Sequence, residues 1–268
     1  LPYEFTTPAR AVDYVETESL DFASQIDSFR ELAGAAHVYG RRYSSETGAL
    51  SGQNYLHGQE KFMEIINSQF ASGVSHTVFH GYSSIQGADG NPELGEWDGT
   101  YWPGHEGMYA VYSERWGSRQ PASEHYEDLM NMIVRNQAVL QQGKPQVDIA
   151  VLRSDYYNSR DYYGDKDNMR NRKALFMKDL SLQDAGYTYD YFAPENLELL
   201  EQEGIDDYRA GEGLIPDNAG YQAVILYQDS INVESAQKLL ELAKEGLPVI
   251  IVNGLTERVL NGTTGNYG

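Results

Sequence analysis

The sequence predicts an α/β protein whose strands pair in parallel, and two observations carry this prediction. Short apolar runs that are typical of strands alternate with runs of helical periodicity along most of the chain. Hydrophobic residues make up 41% of the 268 residues, which is enough for sizeable cores and excludes a globally disordered chain. Because strands separated by a helix pair in parallel through a crossover, this alternation favours parallel sheets covered by helices.

The first half of the chain contains three predicted strands, each followed by a predicted helix. In chain order, the strands cover residues 11–22, 37–46 and 74–84, and the helices cover residues 27–40, 54–73 and 123–145. The second helix is the clearest, because Phe62, Ile66 and Phe70 lie on one face at helical spacing. The third helix carries an apolar stripe that extends from Leu129 to Leu140.

The second half continues the alternation with a new, strongly apolar strand. The predicted strands cover residues 147–154, 188–193, 221–229 and 247–254, and the predicted helices cover residues 173–186 and 233–246. Gly143 and Pro145 end the preceding helix just before this pattern begins. The sequence therefore predicts two domains, residues 1–145 and residues 146–268.

Two or three strand–helix units in the first domain are too few to close an eight-stranded barrel. The first domain is therefore either a small open sheet or the last part of a (β/α)8 barrel that begins outside this chain. The residues alone leave both possibilities open.

Charge and composition exclude several classes of function. The formal charge of −20 makes a surface that repels nucleic acid and anionic lipid, so neither is expected as a partner. No apolar run approaches the roughly 18 residues of a membrane span. The chain has no cysteine, which excludes disulfides, thiolate metal sites and cysteine nucleophiles.

Polar side chains stand at the predicted ends of all three strands in the first domain. Glu16 and Glu18 end the first strand, Glu46 ends the second, and His80 and Tyr82 end the third. Loops after the carboxyl ends of parallel strands form the functional sites of α/β folds, and neighbouring strands bring these ends together. We therefore expect these five side chains to border one pocket.

Glu46 is the candidate catalytic residue, as a general base or a nucleophile. Sugar hydrolysis uses two carboxyl groups, about 5 Å apart when configuration is retained and about 6.5–9.5 Å apart when it is inverted. The alternative role is structural, with Glu46 capping a turn or pairing with Arg41 or Arg42.

The other candidates are substrate-binding residues. Glu16 and Glu18 alternate on a strand and so point the same way, towards a sugar or merely towards solvent. Such carboxylates could also hold Ca²⁺, although their spacing matches no calcium-loop signature. Trp102 could stack on a sugar ring, or it could anchor a long loop. His80 could likewise be only a structural hydrogen-bonding residue.

Four segments resemble a known family. In order, the chain carries "VDYVETESLDF", "FRELAGAAHVYGRRYSSETGA", "ASGVSHTVFHGYSS" and "WPG". These resemble the α-L-rhamnosidases of glycoside hydrolase family 106. The resemblance covers roughly residues 1–155 with recognisable motifs, and beyond that it extends to architecture alone.

The resemblance implies a fold and an activity. The fold is the C-terminal part of a (β/α)8 TIM barrel, followed by a flavodoxin-like, glutamine-amidotransferase-like α/β domain. The activity is inverting hydrolysis of terminal α-L-rhamnosides, with calcium near the sugar. Carried over by position, Glu46 is the general base, Glu18 contacts substrate or metal, and His80 and Tyr82 line the sugar pocket.

The chain also departs from the family pattern. The family's general acid lies on an earlier strand, which this chain does not contain, and "TES" replaces the usual "gEs". We therefore expect a portion of a longer secreted enzyme, whose remaining part supplies the acid. The sequon at Asn261 would accept a glycan in such a protein.

Two alternatives to the rhamnosidase stay open. One is a non-catalytic carbohydrate-binding or assembly module that kept the pocket. The other is a family 42-like β-galactosidase, which shares the barrel-plus-amidotransferase layout. An active amidotransferase is disfavoured because the chain has no cysteine to supply its thiolate.

Overall fold

The computed structural model describes residues 6–19, 26–50, 57–81, 116, 122–153, 181–228, 230–252 and 258–260. These residues form helices and parallel sheets, so the mixed α/β class predicted from the sequence is confirmed. The chain divides into two compact units: unit 1 contains residues 1–15, 27–43 and 143–268, and unit 2 contains residues 16–26 and 44–142. Within the described part of the chain, no helix combines the length and apolarity needed to cross a bilayer.

Strands and helices alternate over residues 14–140, as predicted. They are β1 (Tyr14–Glu18), α1 (Ile26–Val38), β2 (Arg42–Thr47), α2 (Gln59–Ala71), β3 (His76–Phe79) and α3 (Tyr126–Leu140). The strands lie side by side in the order β1-β2-β3, and β2 pairs with β3 in parallel. One turn of 3-10 helix, Ser123–His125, leads into α3.

The second strand begins five residues later than predicted, at Arg42. His37 and Val38 are the last residues of α1, because the preceding alanine-rich segment favours a helix. Gly40 then adopts a left-handed conformation (φ 59°), and the amide of Arg41 donates to the carbonyl of Ala36 at 2.8 Å. This glycine-based helix end delays the extended conformation.

Helices α2 and α3 form the apolar core of unit 2. Phe62 and Ile66 of α2 are buried against Leu129 and Ile133 of α3. The apolar stripe predicted along α3 does not reach Leu140, which is 43% exposed at the last position of the helix. The core therefore lies under the first two turns of α3.

The described residues beyond Pro145 add short strands and two helices. They are β4 (Ile149–Leu152), α4 (Ser181–Asp184), β5 (Tyr189–Phe192), β6 (Tyr208–Arg209), β7 (Gly213–Leu214), β8 (Ala223–Leu226), β9 (Ser230–Asn232), α5 (Val233–Glu245), β10 (Val249–Ile251) and β11 (Arg258–Leu260). Turns of 3-10 helix cover Thr7–Ala11, Pro194–Glu198 and Glu201–Glu203.

The main sheet of unit 1 is parallel and has the order β10-β8-β4-β5. Its first strand along the chain lies inside the sheet, with the second strand on one side and the third and fourth on the other. Flavodoxin-like doubly wound sheets begin with the same order. All four residues of β4 are buried, which agrees with its unbroken apolar sequence.

Helix α1 packs closely on β5 within unit 1. A methyl group added to Gly34 would lie 1.9 Å from the carbonyl oxygen of Tyr191, so only a glycine permits this approach. At the start of the helix, the Asp27 carboxylate accepts hydrogen bonds from the hydroxyls of Tyr189 (2.8 Å) and Tyr191 (2.9 Å). The helix is thus fixed to the strand by shape and by buried polar contacts.

A second buried polar group lies at the end of α1. Nδ1 of His37 lies 2.6 Å from the Asp190 carboxylate, and the hydroxyl of Tyr221 donates to the same oxygen at 2.9 Å. Burial raises the pKa of Tyr221 well above its usual value of 10.0, and the Asp190 charge adds to this effect. Burial and the Asp27 charge also raise the pKa of Tyr191.

Candidate active site

One face of the sheet β1-β2-β3 carries three of the six predicted site residues, Glu16, Glu18 and Glu46. The β2–β3 register pairs Ser44 with His76 and Glu46 with Val78. Paired residues in parallel strands project to the same face, so these four side chains lie on one side of the sheet. We call this side the carboxylate face.

The register of β1 adds two glutamates to the carboxylate face. The amide of Ser19 donates to the carbonyl of Glu46 at 2.9 Å, and the hydroxyl of Ser44 donates to the Glu16 carboxylate at 2.8 Å. Both contacts fit a parallel register in which Glu16 lies beside Ser44 and Glu18 lies beside Glu46. Since adjacent strands are about 4.8 Å apart, the three carboxylates are neighbours on the sheet.

The opposite face of β2 is covered by α2. Ser45 and Thr47 project to this side, where both hydrogen-bond to the side-chain amide of Gln69, a fully buried residue of α2. The alternation of β2 therefore points Glu46 away from the helix. An acidic residue therefore fits near the end of this largely buried strand, because its neighbours Ser45 and Thr47 face α2 and Glu46 does not.

The three glutamates differ in their surroundings. Glu46 is half-buried, and no described residue forms an ion pair or hydrogen bond with its carboxylate. The guanidinium of Arg41 instead donates to the carbonyl of Arg10 at 3.0 Å. Glu16 is exposed, but its carboxylate is held by the buried hydroxyl of Ser44. Glu18 is half-buried.

His80 stands at the end of β3, beside the end of β2. Its amide donates to the carbonyl of Thr47 at 2.8 Å, and the peptide bond that follows it is cis. The amide of Trp116 donates to the carbonyl of Gly81 at 2.8 Å. A methyl group on Gly48 would lie 2.8 Å from Nε1 of Trp116 and 2.9 Å from the carbonyl oxygen of His80. These contacts hold the carboxyl ends of both strands together.

Trp116 is the residue at this site that the sequence reasoning missed. Its indole packs against the rings of Phe62, Phe79 and Tyr126, with centroids 4.6–5.1 Å apart. It lies more than thirty positions after β3 in the chain, and no local periodicity marks it. The one available signal was a large aromatic residue within a loop rich in polar residues.

The comparisons with known proteins identify the family. A family model for glycoside hydrolase family 106, described as alpha-L-rhamnosidase, matches residues 8–258. The chain belongs to glycoside hydrolase family 106. A solved rhamnosidase structure from Novosphingobium sp. PP1Y resembles this family 106 chain with a TM-score of 0.61 and 18% sequence identity. The comparison of this chain with curated proteins found no match.

The structural likeness concerns the fold, since identity at this level carries no residue roles. It covers 92% of this family 106 chain and 23% of the Novosphingobium protein. The chain therefore spans about a quarter of the length of the solved relative.

Some predicted features of this family 106 site lie outside the described residues. Tyr82 and Trp102 are among these, so their placement stays a prediction. The described residues contain no group of three histidine, aspartate or glutamate side chains arranged to hold a metal ion. Calcium binding therefore also stays a prediction.

Proposed function

We propose that this chain forms part of an α-L-rhamnosidase that removes terminal α-L-rhamnosyl residues with inversion of configuration. Membership of glycoside hydrolase family 106 supports the reaction class. The observation that carries the proposal is the half-buried Glu46 carboxylate, free of any ion pair with a described residue, on the same face as Glu16 and Glu18.

Glu46 acts as the general base in this proposal. It takes a proton from a water molecule that attacks the anomeric carbon, while the ring passes through an oxocarbenium-like state. No described residue forms an ion pair with Glu46, so its carboxylate oxygens can contact that water molecule. The general acid that protonates the leaving oxygen comes from a part of the enzyme outside this chain.

Glu16 and Glu18 bind the sugar in the same proposal. Carboxylate oxygens accept hydrogen bonds from sugar hydroxyls, and both residues lie on the carboxylate face beside the base. Ser44 holds Glu16 in one orientation, which suits a binding residue better than a base. His80, Tyr82 and Trp102 complete the proposed sugar pocket.

The proposed architecture follows from the two sheets. The succession β1-α1-β2-α2-β3-α3 supports the last part of a (β/α)8 barrel. The order β10-β8-β4-β5 supports a flavodoxin-like, amidotransferase-like domain. Without a cysteine, that domain has no thiolate nucleophile and would be structural. Secretion, and a glycan at Asn261, belong to the same proposal.

Hydrolysis by the natural protein that contains this chain tests the function. We expect cleavage of 4-nitrophenyl α-L-rhamnopyranoside, with β-L-rhamnose as the first product seen by proton NMR. Cleavage of the β-D-galactopyranoside instead would favour the family 42-like alternative. Rhamnose binding without hydrolysis would favour the non-catalytic module.

Replacement of Glu46 tests the residue. Glu46→Gln keeps the shape of the side chain and removes the base, so kcat should fall at least 1,000-fold with rhamnose binding retained. Glu127→Gln, an exposed change on α3, is the matched control and should leave kcat unchanged. Turnover by Glu46→Gln close to that of the control would refute the role.

A further inference from the structure

A buried chain of hydrogen bonds connects α2 to the backbone of the proposed base. The hydroxyl of Thr47 donates to Oε1 of Gln69 at 2.9 Å, and Nε2 of Gln69 donates to the hydroxyl of Ser45 at 2.8 Å. Ser45 in turn donates to the carbonyl of Glu46 at 3.3 Å. Every link passes its hydrogen atom in the same direction, and the side-chain amide of Gln69 accepts from one hydroxyl and donates to the other.

The residues that Gln69 holds are the two that flank Glu46. Ser45, Thr47 and Gln69 are each fully buried, so their polar atoms have no access to water as a substitute partner. Alternate residues of a strand project to opposite faces. Holding Ser45 and Thr47 on one face therefore also sets the direction in which the Glu46 side chain projects from the opposite face.

Glu46 depends on this backbone anchoring because its side chain has little support of its own. No described residue hydrogen-bonds its carboxylate. The strand sets the Cα–Cβ direction from which that carboxylate extends, so a shift of the strand moves the carboxylate with it. Misplacing a catalytic group by about 1 Å can cost a factor of about 100 in rate.

We infer that Gln69 is a positioning residue for Glu46, acting through the hydroxyls of Ser45 and Thr47 on the far face of β2. The inference rests on the proposed role of Glu46 as the general base. Gln69 itself touches no substrate, because α2 and the carboxylate face lie on opposite sides of the sheet.

The first test needs no activity and uses the natural protein that contains this chain. With 13C-labelled glutamate, the side-chain carboxyl resonance of Glu46 is assigned by its loss in Glu46→Gln. In Gln69→Met we expect this resonance to shift or broaden, because the two hydroxyls lose their shared partner. An unchanged resonance in folded Gln69→Met would overturn the inference.

Gln137→Met is the matched control for that change. Oε1 of Gln137, on α3, accepts a hydrogen bond of 2.8 Å from the amide of Thr77 on β3, so it is also a glutamine that joins a helix to a strand. Loss of this hydrogen bond in Gln137→Met should lower the melting temperature and leave the Glu46 resonance unchanged. If both variants move the resonance equally, Gln69 has no specific role.

The second test measures turnover in the natural protein. Gln69→Met should lower kcat by about 10–100-fold with KM changed less than about threefold, whereas Gln137→Met should change both less than about threefold. Measurements are made well below both melting temperatures. Turnover in Gln69→Met that equals the control would overturn the inference.

A triple variant separates positioning from stability. Combining Gln69→Met with Ser45→Ala and Thr47→Val removes the buried hydroxyls that have lost their hydrogen bonds to Gln69, so part of the lost stability should return. We expect kcat to stay low, since the hydrogen bonds between Gln69 of α2 and the two hydroxyls of β2 remain absent. Full recovery of kcat would show that Gln69 acts only through stability. Glu46→Gln, measured in parallel, shows separately whether the proposed base itself is correct.

Discussion

The buried hydroxyl of Ser44 donates a hydrogen bond of 2.8 Å to the carboxylate of Glu16 across two neighbouring strands. Ser44 is 1% exposed, whereas Glu16 projects into solvent on the carboxylate face. A side chain fixed in the interior thus orients one that can meet a ligand. This contact makes Glu16 a pre-oriented acceptor for a sugar hydroxyl.

Ser44→Ala should weaken substrate use without unfolding the protein. The change removes one oxygen atom and frees Glu16 to rotate, so we expect kcat/KM for the rhamnoside to fall about tenfold, equivalent to about 1.4 kcal/mol. Steady-state kinetics of the natural protein measure this. Ser68→Ala, which removes a hydroxyl bonded to the backbone of α2, is the control. Equal kcat/KM in both variants would show that Glu16 needs no orientation.

Gly34→Ala should destabilise the fold strongly. The added methyl group would meet the backbone oxygen of Tyr191 at 1.9 Å, and backbone moves less readily than a flexible side chain. Overpacking costs about 1–3 kcal/mol or more, which exceeds the roughly 1 kcal/mol that alanine gains over glycine in a helix. Urea denaturation measures the net change in the free energy of unfolding that these two effects produce. Ala138→Gly, at an exposed position of α3, gives the helix-propensity contribution alone. An unchanged or raised stability of Gly34→Ala would contradict the close packing.

Alkaline pH should destabilise unit 1 through its buried tyrosines. Burial raises the native pKa of Tyr191 and Tyr221 above 10.0, the value near which the unfolded chain releases these protons. Above pH 10 the unfolded state therefore binds fewer protons, and the free energy of unfolding falls as pH rises. Each group contributes up to about 1.4 kcal/mol per pH unit over this interval.

Tyr221→Phe should flatten that alkaline dependence. The variant loses its hydrogen bond to Asp190 and should be less stable at pH 7, by about 1–2 kcal/mol, yet the difference from the wild type should shrink above pH 10. Urea denaturation from pH 7 to pH 11.5 measures both. Tyr187→Phe, at a residue that is 51% exposed, should retain the wild-type slope. A constant difference between Tyr221→Phe and the wild type would contradict the shift.

Asn232→Ala should destabilise α5 by about 1 kcal/mol. The Asn232 side chain accepts a hydrogen bond of 2.6 Å from the amide of Ser235 and so caps the helix start. Asn232→Ser, which retains a capping oxygen, should restore most of the loss in thermal unfolding. Equal losses in both variants would mean that the cap contributes nothing.

The order of strands and helices could be read from the sequence because each element carries its own periodicity. The apolar run of β4 and the alternation that places Glu16 and Glu18 on one face are visible within a few residues. The start of β2 was placed five residues too early, since a helix pattern and a strand pattern overlap at His37 and Val38. Strands such as β6 and β7, two residues long, are too short for any period to appear.

Tertiary structure alone decided which residues became neighbours. The order of strands predicts that Glu46 and Glu18 border one pocket, but no local pattern gives the register that places them side by side. Nor does any local pattern indicate that Gln69 holds the residues on either side of Glu46. Nor does any local pattern predict that Gly34 lies against Tyr191. Local periodicity depends on backbone geometry within about ten residues, whereas register and helix contacts depend on which surfaces of the whole chain can be buried together.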